Sequence, residues 1–138
     1  MNIGIDIGST ASKVVVYDKD KDEILYKILM PSGWNSKETS GEIYKKLVEN
    51  GFDVDNSYVV ATGYGRVSVP YADRVVTEIT THSKGAMYLL KRDCDVIDIG
   101  GQDTKIINIS NGMVSDFIMN DKCSAGTGKF LEVMSNRL

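Results

Sequence analysis

A short segment of the sequence occurs twice, 92 residues apart, and this repeat limits what the chain can fold into. GIDIGSTASKVVVYD, from Gly4, aligns with VIDIGGQDTKIINIS, from Val96, with five identities in fifteen positions. The identities include the aspartate near the end of each apolar run, Asp6 and Asp98. Aspartate is depleted in strands, and self-similarity marks a repeated structural unit, so we expect two related halves.

Both copies are followed by the same predicted elements, which are strand, strand, strand and helix. A charged turn, DKDKD, leads to the alternating strand EILYKILM, whereas Asn111 and Gly112 form a two-residue hairpin signal in the second half. The first half adds the strand and turn SYVVATGYG and a helix over EITTHSKGAMYLLK. We expect the boundary near Asp93, which separates 1–93 from 94–138.

Two helices are predicted with defined apolar faces. SKETSGEIYKKLVENG has an apolar face, a capping box at Thr39 and Glu42, and a stop at Gly51. The inward residues are expected to be Ile43, Tyr44, Leu47 and Val48 in this helix, and Phe130, Leu131, Met134 and Leu138 in GTGKFLEVMSNRL. No residue stops the last helix, so we expect the second half to be incomplete.

The repeated aspartate is followed in each copy by a turn suited to phosphate. The turn residues are Gly8, Ser9 and Thr10 in one copy and Gly100, Gly101 and Gln102 in the other. Tight glycine turns expose backbone N–H groups that bind phosphate oxygens. Two carboxylates and a polyphosphate would repel one another unless a divalent cation lay between them, and hydrated oxygen ligation is typical of magnesium. The repeat therefore favours a metal-nucleotide cleft between the halves over two plain turns.

Composition excludes several other classes of function. The net charge is -3 without a Lys/Arg block, which disfavours binding to nucleic acid or to an acidic membrane surface. The start MNIGIDIG does not have the pattern of a signal peptide, and we expect a cytoplasmic protein. Cys94 and Cys123 lack CxxC spacing and are expected to be free thiols or ligands. GTGK lacks the earlier glycine of a P-loop, and GYG lacks the third glycine of a dinucleotide fingerprint.

Several motifs resemble a known family. IGIDIGSTASK and VIDIGGQDTK resemble the first and second phosphate motifs of the ATPase superfamily of actin, Hsp70 chaperones and sugar kinases. ATGYGR, EITTHSKGA and MNDKCSAGTGKFLEVM resemble, more narrowly, the ATP-dependent activators of 2-hydroxyacyl-CoA dehydratases, which share a family with benzoyl-CoA reductase ATPase subunits. The resemblance spans essentially the whole chain. It implies an α/β, ribonuclease-H-like (actin/Hsp70-type) fold with duplicated lobes, the second incomplete.

The resemblance also implies a redox function. Such activators are homodimers that share one 4Fe-4S cluster, take an electron from ferredoxin or flavodoxin and, using ATP, pass it to the dehydratase or reductase. Cys123 occupies the first ligand position of the NDKC motif, and a thiolate before a helix N-terminus suits that role. Cys94 is expected to be a structural or solvent thiol near the opposite end of its strand. The resemblance places the second cysteine ligand and the adenosine-binding motif beyond the end of this sequence. It also implies that the protein comes from an anaerobe.

The candidate site residues fall into three groups. Catalytic roles are expected for Gln102, which would orient the attacking water, and for Asp98. Magnesium, through water, is expected at Asp6 and Asp98, and the cluster at Cys123. The residues expected to bind ATP or ADP are Asp6, Gly8, Ser9, Thr10, Lys13, Gly100, Gly101, Gln102, Asp103, Gly126, Thr127 and Gly128.

Other interpretations stay open from the residues alone. Lys13, Lys105 and Arg66 are also typical of solvated surface positions, Asp103 of a turn cap, and His82 of a packed or surface histidine. A sugar or amino-sugar kinase would share both phosphate motifs but has no use for Cys123. A non-enzymatic, nucleotide-gated scaffold would bind ATP and assemble without iron.

Overall fold

The computed structural model describes residues 1–137 and contains two compact units, Met1–Thr77 and from Glu78 onward. Leu138, predicted to lie on the last apolar stripe, is outside the described residues. No helix within 1–137 is long and apolar enough to cross a membrane.

The first unit is built on a five-stranded sheet. Its strands, in chain order, are β1 (Asn2–Ile7), β2 (Ala11–Asp18), β3 (Glu23–Pro31), β4 (Tyr58–Thr62) and β5 (Arg74–Val75). They lie in the order β3-β2-β1-β4-β5, with β1 antiparallel to β2 and parallel to β4. The turns that follow β1 and β4 therefore lie at the same edge of this sheet.

Helix α1 (Ser36–Glu49) packs on this sheet through Ile43 and Leu47, which are fully buried with the isoleucines of β1. The predicted inward position of Val48 is wrong, because this side chain is 50% exposed. The buried positions of α1 are Thr39, Ser40, Ile43 and Leu47, whose three- and four-residue spacings place them on one face.

The ends of α1 differ in how well the sequence predicted them. The capping box at Thr39 and Glu42 is wrong, since Asn35 is the N-cap and its side chain accepts the N–H groups of Lys37 and Glu38. The helix therefore begins one turn earlier than that motif indicates. The stop at Gly51 is confirmed, with φ +83° and an N–H that donates to Val48 O at 2.9 Å.

The second unit is a three-stranded antiparallel sheet with two helices. In chain order it contains α2 (Glu78–Leu90), β6 (Asp95–Ile99), β7 (Thr104–Ser110), β8 (Met113–Asn120) and α3 (Gly128–Ser135). The hairpin at Asn111 and Gly112 is confirmed by positive φ angles of 52° and 71°. Helix α2 packs on β6, β7 and β8, whereas the sequence prediction had grouped it with residues 1–93.

The two faces of the second sheet are unlike each other. Lys105, Ile107 and Ile109 of β7 are buried on the face that carries α2. The opposite face presents the cross-strand row of Ile97, Ile106 and Ile118, all exposed. The predicted apolar stripe of α3 at Phe130, Leu131 and Met134 is exposed too.

Candidate functional site

The first aspartate-glycine turn joins β1 to β2. Asp6 lies opposite Lys13 in the antiparallel register, and Lys13 Nζ contacts Asp6 Oδ2 at 3.0 Å. A Cβ on Gly8 would lie 2.8 Å from the carbonyl oxygen of Ala11 and 3.3 Å from Lys13 Nζ, so the ammonium lies beside the turn. Ser9 and Thr10 are exposed. The turn thus presents two hydroxyls and one ammonium, the donors expected for a phosphate.

The turn of ATGYG covers the first aspartate. Gly63 has φ +89°, and a Cβ there would collide with Asp6 Oδ1 and the carbonyl of Ile7. Gly65 N donates to Ile7 O at 2.8 Å, and Arg66 Nη1 donates to Gly63 O at 2.9 Å. Arg66 is therefore an internal donor to this turn, a role that neither sequence interpretation included.

One oxygen of the first aspartate has no partner. Asp6 Oδ1 is buried without a hydrogen bond, while Oδ2 is held by Lys13. Buried polar atoms are normally paired, so an orphaned carboxylate oxygen fits a water or cation that belongs there. This observation agrees with magnesium held through water. Magnesium was predicted because two carboxylates and a polyphosphate would repel one another. The ion pair with Lys13 already reduces the part of that repulsion that comes from Asp6.

The second turn joins β6 to β7 and has a different set of contacts. Asp98 lies opposite Lys105, but Lys105 Nζ is 3.6 Å from Asp98 Oδ2. The ammonium is closer to Asp103 Oδ2, at 2.8 Å, and to Glu78 Oε2 on α2, at 3.0 Å. Burial acts to lower the pKa of Lys105, but the hydrogen bonds to Asp103 and Glu78 outweigh it and raise the pKa.

His82 holds the second aspartate. Its Nδ1 lies 2.7 Å from Asp98 Oδ2. This hydrogen bond is the main cause of a lowered pKa for Asp98, against a smaller effect of burial that would raise the pKa. Asp98 is therefore ionised at neutral pH and is a weak proton acceptor, which favours an electrostatic role over that of a general base.

The glycines of the second turn contact the N-terminus of α3. Gly128 N donates to Gly100 O at 2.8 Å, and Lys129 N donates to Gly101 O at 3.1 Å. A Cβ on Gly128 would lie 2.9 Å from Gly100 O, so only glycine allows this approach. Gln102 is exposed on the same turn.

The remaining residues of AGTG are also engaged within the protein. Gly126 O accepts from Thr104 Oγ1 at 2.8 Å. Thr127 is buried, and its Oγ1 donates to Ser124 O at 2.6 Å. The contact with Thr104 links this segment to the residue that follows the glycine turn.

The two cysteines lie at opposite ends of the second sheet. Cys123 is exposed in the loop after β8, where its N–H donates to Asn120 Oδ1 at 3.2 Å. Asn120 pairs with Thr104 in the register, at the end where the glycine turn begins. Cys94 precedes β6, as predicted, at the other end. Cys123 is four residues before the N-cap Thr127 and so is outside the first turn of α3, and the helix-dipole effect on its thiol stays a prediction.

A single exposed thiol fits one ligand position of an iron-sulfur cluster and no more. Such clusters take four cysteine sulfurs, and within residues 1–137 no group of three or more His, Cys, Asp or Glu side chains has metal-binding proximity. A cluster would therefore need sulfur ligands in addition to this one Cys123 thiol.

Sequence reasoning missed the contributions of α2 and of ATGYG. Glu78 and His82 are four residues apart, on one face of the helix, and both reach the second turn. The four-residue spacing of Glu78 and His82 in EITTHSKGA could have predicted that both side chains lie on one face of the helix. The role of Gly63 had no such signal, because it depends on β4 lying beside β1.

Comparisons with known proteins identify the family of this chain. The profile of the BadF/BadG/BcrA/BcrD ATPase family matches residues 3–138. The (R)-2-hydroxyglutaryl-CoA dehydratase activating ATPase of Acidaminococcus fermentans is 44% identical over 139 residues, covering 99% of this chain and 53% of the relative. The chain spans about half the length of the curated relatives it matches.

Solved structures give the same result for the fold. The A. fermentans dehydratase component A has a TM-score of 0.86 at 42% identity, over 98% of this chain and 52% of that one. The activator of 2-hydroxyisocaproyl-CoA dehydratase from Clostridium difficile, with bound ADPNP, has a TM-score of 0.86 at 38% identity, over 99% of this chain and 51% of that one. The predicted α/β fold of the actin-type ATPases is confirmed.

Proposed function

Because this chain belongs to the BadF/BadG/BcrA/BcrD ATPase family, we propose that it is part of an iron-sulfur activator that hydrolyses ATP and delivers a low-potential electron. The recipient would be a 2-hydroxyacyl-CoA dehydratase or a benzoyl-CoA reductase type of enzyme, and the donor ferredoxin or flavodoxin. The relatives named as activating ATPases support the ATPase role, and the exposed Cys123 supports the redox role.

Each turn would contribute to nucleotide binding in its own way. Ser9, Thr10 and Lys13 supply hydroxyls and an ammonium, whereas the second turn offers Gln102 and the ionised Asp98. Magnesium held through water by Asp6 and Asp98 would neutralise phosphate charge. Gln102 would orient the attacking water, since its side chain is exposed on the turn.

The observation that carries the redox proposal is the hydrogen-bonded connection between the glycine turn and the cysteine loop. Gly100 and Gly101 accept from the first residues of α3, and Thr104 Oγ1 donates to Gly126, three residues after Cys123. A displacement of the turn by phosphate would therefore move the segment that carries the thiol. A cluster bound by Cys123 in a homodimer would supply the stored electron.

The test is metal content of the full-length natural polypeptide after anaerobic reconstitution. We expect about four iron and four sulfide per dimer, lost in Cys123→Ser and retained in the matched control Cys94→Ser. ATP should then change the electron paramagnetic resonance spectrum of the reduced cluster. A protein that binds ATP but holds no iron in any of the three forms would contradict the redox proposal and favour the kinase interpretation.

A further inference from the structure

Asp98 and its counterpart Asp6 are held by different kinds of donor. In the first turn Lys13 pairs with the aspartate, at 3.0 Å. In the second, Lys105 bonds Asp103 and Glu78, and its ammonium stays 3.6 Å from Asp98. His82 Nδ1, at 2.7 Å, makes the shortest contact of Asp98 Oδ2. The histidine thus takes the place that lysine has in the first copy.

The geometry of this contact favours a positioning role. An imidazole has two side-chain torsions, whereas a lysine has four, so a histidine on a helix restricts its partner more closely. His82 projects from α2, a thirteen-residue helix that packs on the same sheet as Asp98. The carboxylate is consequently fixed from two elements, its own strand and α2. Asp98 is two residues before Gly100, where the phosphate turn begins.

We propose that His82 is a positioning residue for nucleotide hydrolysis, whose Nδ1–H holds the Asp98 carboxylate beside the Gly100–Asp103 turn. This rests on the proposed function, because it assumes that the turn binds the phosphates of ATP. A carboxylate oxygen accepts a hydrogen bond, so in the 2.7 Å contact with Asp98 Oδ2 the Nδ1 atom carries the proton. In this role His82 acts on the phosphates through Asp98, the group that it orients.

The side chain can be replaced without emptying the core. Its exposed fraction is 32%, and alanine is a better helix former than histidine. Loss of activity in His82→Ala would therefore result from a misoriented Asp98 carboxylate rather than from unfolding. An unchanged circular dichroism spectrum and urea midpoint would show that the variant is folded.

Three substitutions of His82 in the full-length protein test whether activity needs the Nδ1–H donor or only a side chain at this position. His82→Ala should lower kcat for ATP hydrolysis about 10- to 100-fold, the usual loss when a supporting hydrogen bond is removed. The KM for ATP should change little, because every group proposed to contact the nucleotide remains in the variant. His82→Asn places an amide N–H near the position of Nδ1 and should restore most of the activity. His82→Gln, which reaches toward the position of Nε2, should not.

A second measurement is independent of activity. Long-range ¹H–¹⁵N correlation spectra of the wild-type protein at neutral pH should show His82 protonated at Nδ1. A ring protonated only at Nε2 would overturn the assignment.

The kinetic outcomes distinguish this inference from the proposed function. Normal kcat in His82→Ala, or equal losses in the Asn and Gln variants, would overturn the positioning role while leaving ATP hydrolysis intact. A wild-type protein without ATP hydrolysis would overturn both. Rescue by Asn alone, with the Nδ1–H form present, supports the proposal.

Discussion

The two aspartate-glycine turns share a register but differ in how charge is balanced. Asp6 faces Lys13 and Asp98 faces Lys105 at equivalent positions of antiparallel strands. Lys13 is 52% exposed and pairs with one carboxylate, whereas Lys105 is 4% exposed and lies among Glu78, Asp98 and Asp103. The same pair of residues therefore forms a solvated ion pair in one unit and the centre of a buried network in the other.

The difference shows that surrounding elements, more than the motif, decide what a repeated motif does. In the first unit the turn of ATGYG closes on Asp6 through Gly63, and the ion pair of this carboxylate is with Lys13. In the second, α2 supplies Glu78 and His82. The Lys105 ammonium is closer to Glu78 and Asp103 than to Asp98, which it approaches to 3.6 Å. His82 contacts Asp98 at 2.7 Å.

The largest expected effect comes from substituting the two lysines in parallel. Lys105→Met leaves three carboxylates without their shared ammonium and should lower the free energy of unfolding by about 3 kcal/mol. Lys13→Met removes a solvated partner and should cost about 0.5 kcal/mol. Urea unfolding of both variants in the full-length protein measures the contrast. Equal losses would mean that burial does not separate the two copies.

A smaller effect is expected from alanine at glycines with positive φ. Gly63→Ala combines an unfavourable φ of +89° with collisions against Asp6 and Ile7, and should cost about 2 kcal/mol. Gly126→Ala, at φ +79° with open space around it, should cost about 1 kcal/mol. Thermal unfolding compares the two. A Gly126 variant as unstable as the Gly63 variant would show that backbone conformation alone sets the cost.

The smallest effect concerns the titration of Asp98. The hydrogen bond from His82 holds the pKa of Asp98 below its ordinary 3.8, so this carboxylate stabilises the fold fully above pH 3.8. That contribution is lost as pH falls through the lowered pKa. In His82→Ala the pKa of Asp98 should rise toward 3.8, as ¹³C NMR of the carboxyl group would measure. An unchanged titration would show that His82 is not the main cause.

Most of the fold could be predicted from local pattern. The repeat, the Asn111-Gly112 hairpin and the helix stop at Gly51 are specified by neighbouring residues and are confirmed. The start of α1 was missed because Asn35 competes with Thr39 for the same capping role. The prediction for Val48 was wrong because this residue lies at the margin of the apolar stripe, where packing decides whether a side chain is buried.

The sequence by itself determined two aspartates at strand ends, each followed by a glycine turn, and one cysteine in a loop beside the second turn. Only the tertiary structure decided which cation each aspartate meets, that Gly63 covers Asp6, and that Gly128 donates to Gly100. The physical reason is the distance along the sequence between the interacting residues. Turns and strands follow from residues a few positions apart, whereas ion pairs and close backbone approaches depend on elements that become neighbours only when the sheet and its helices pack.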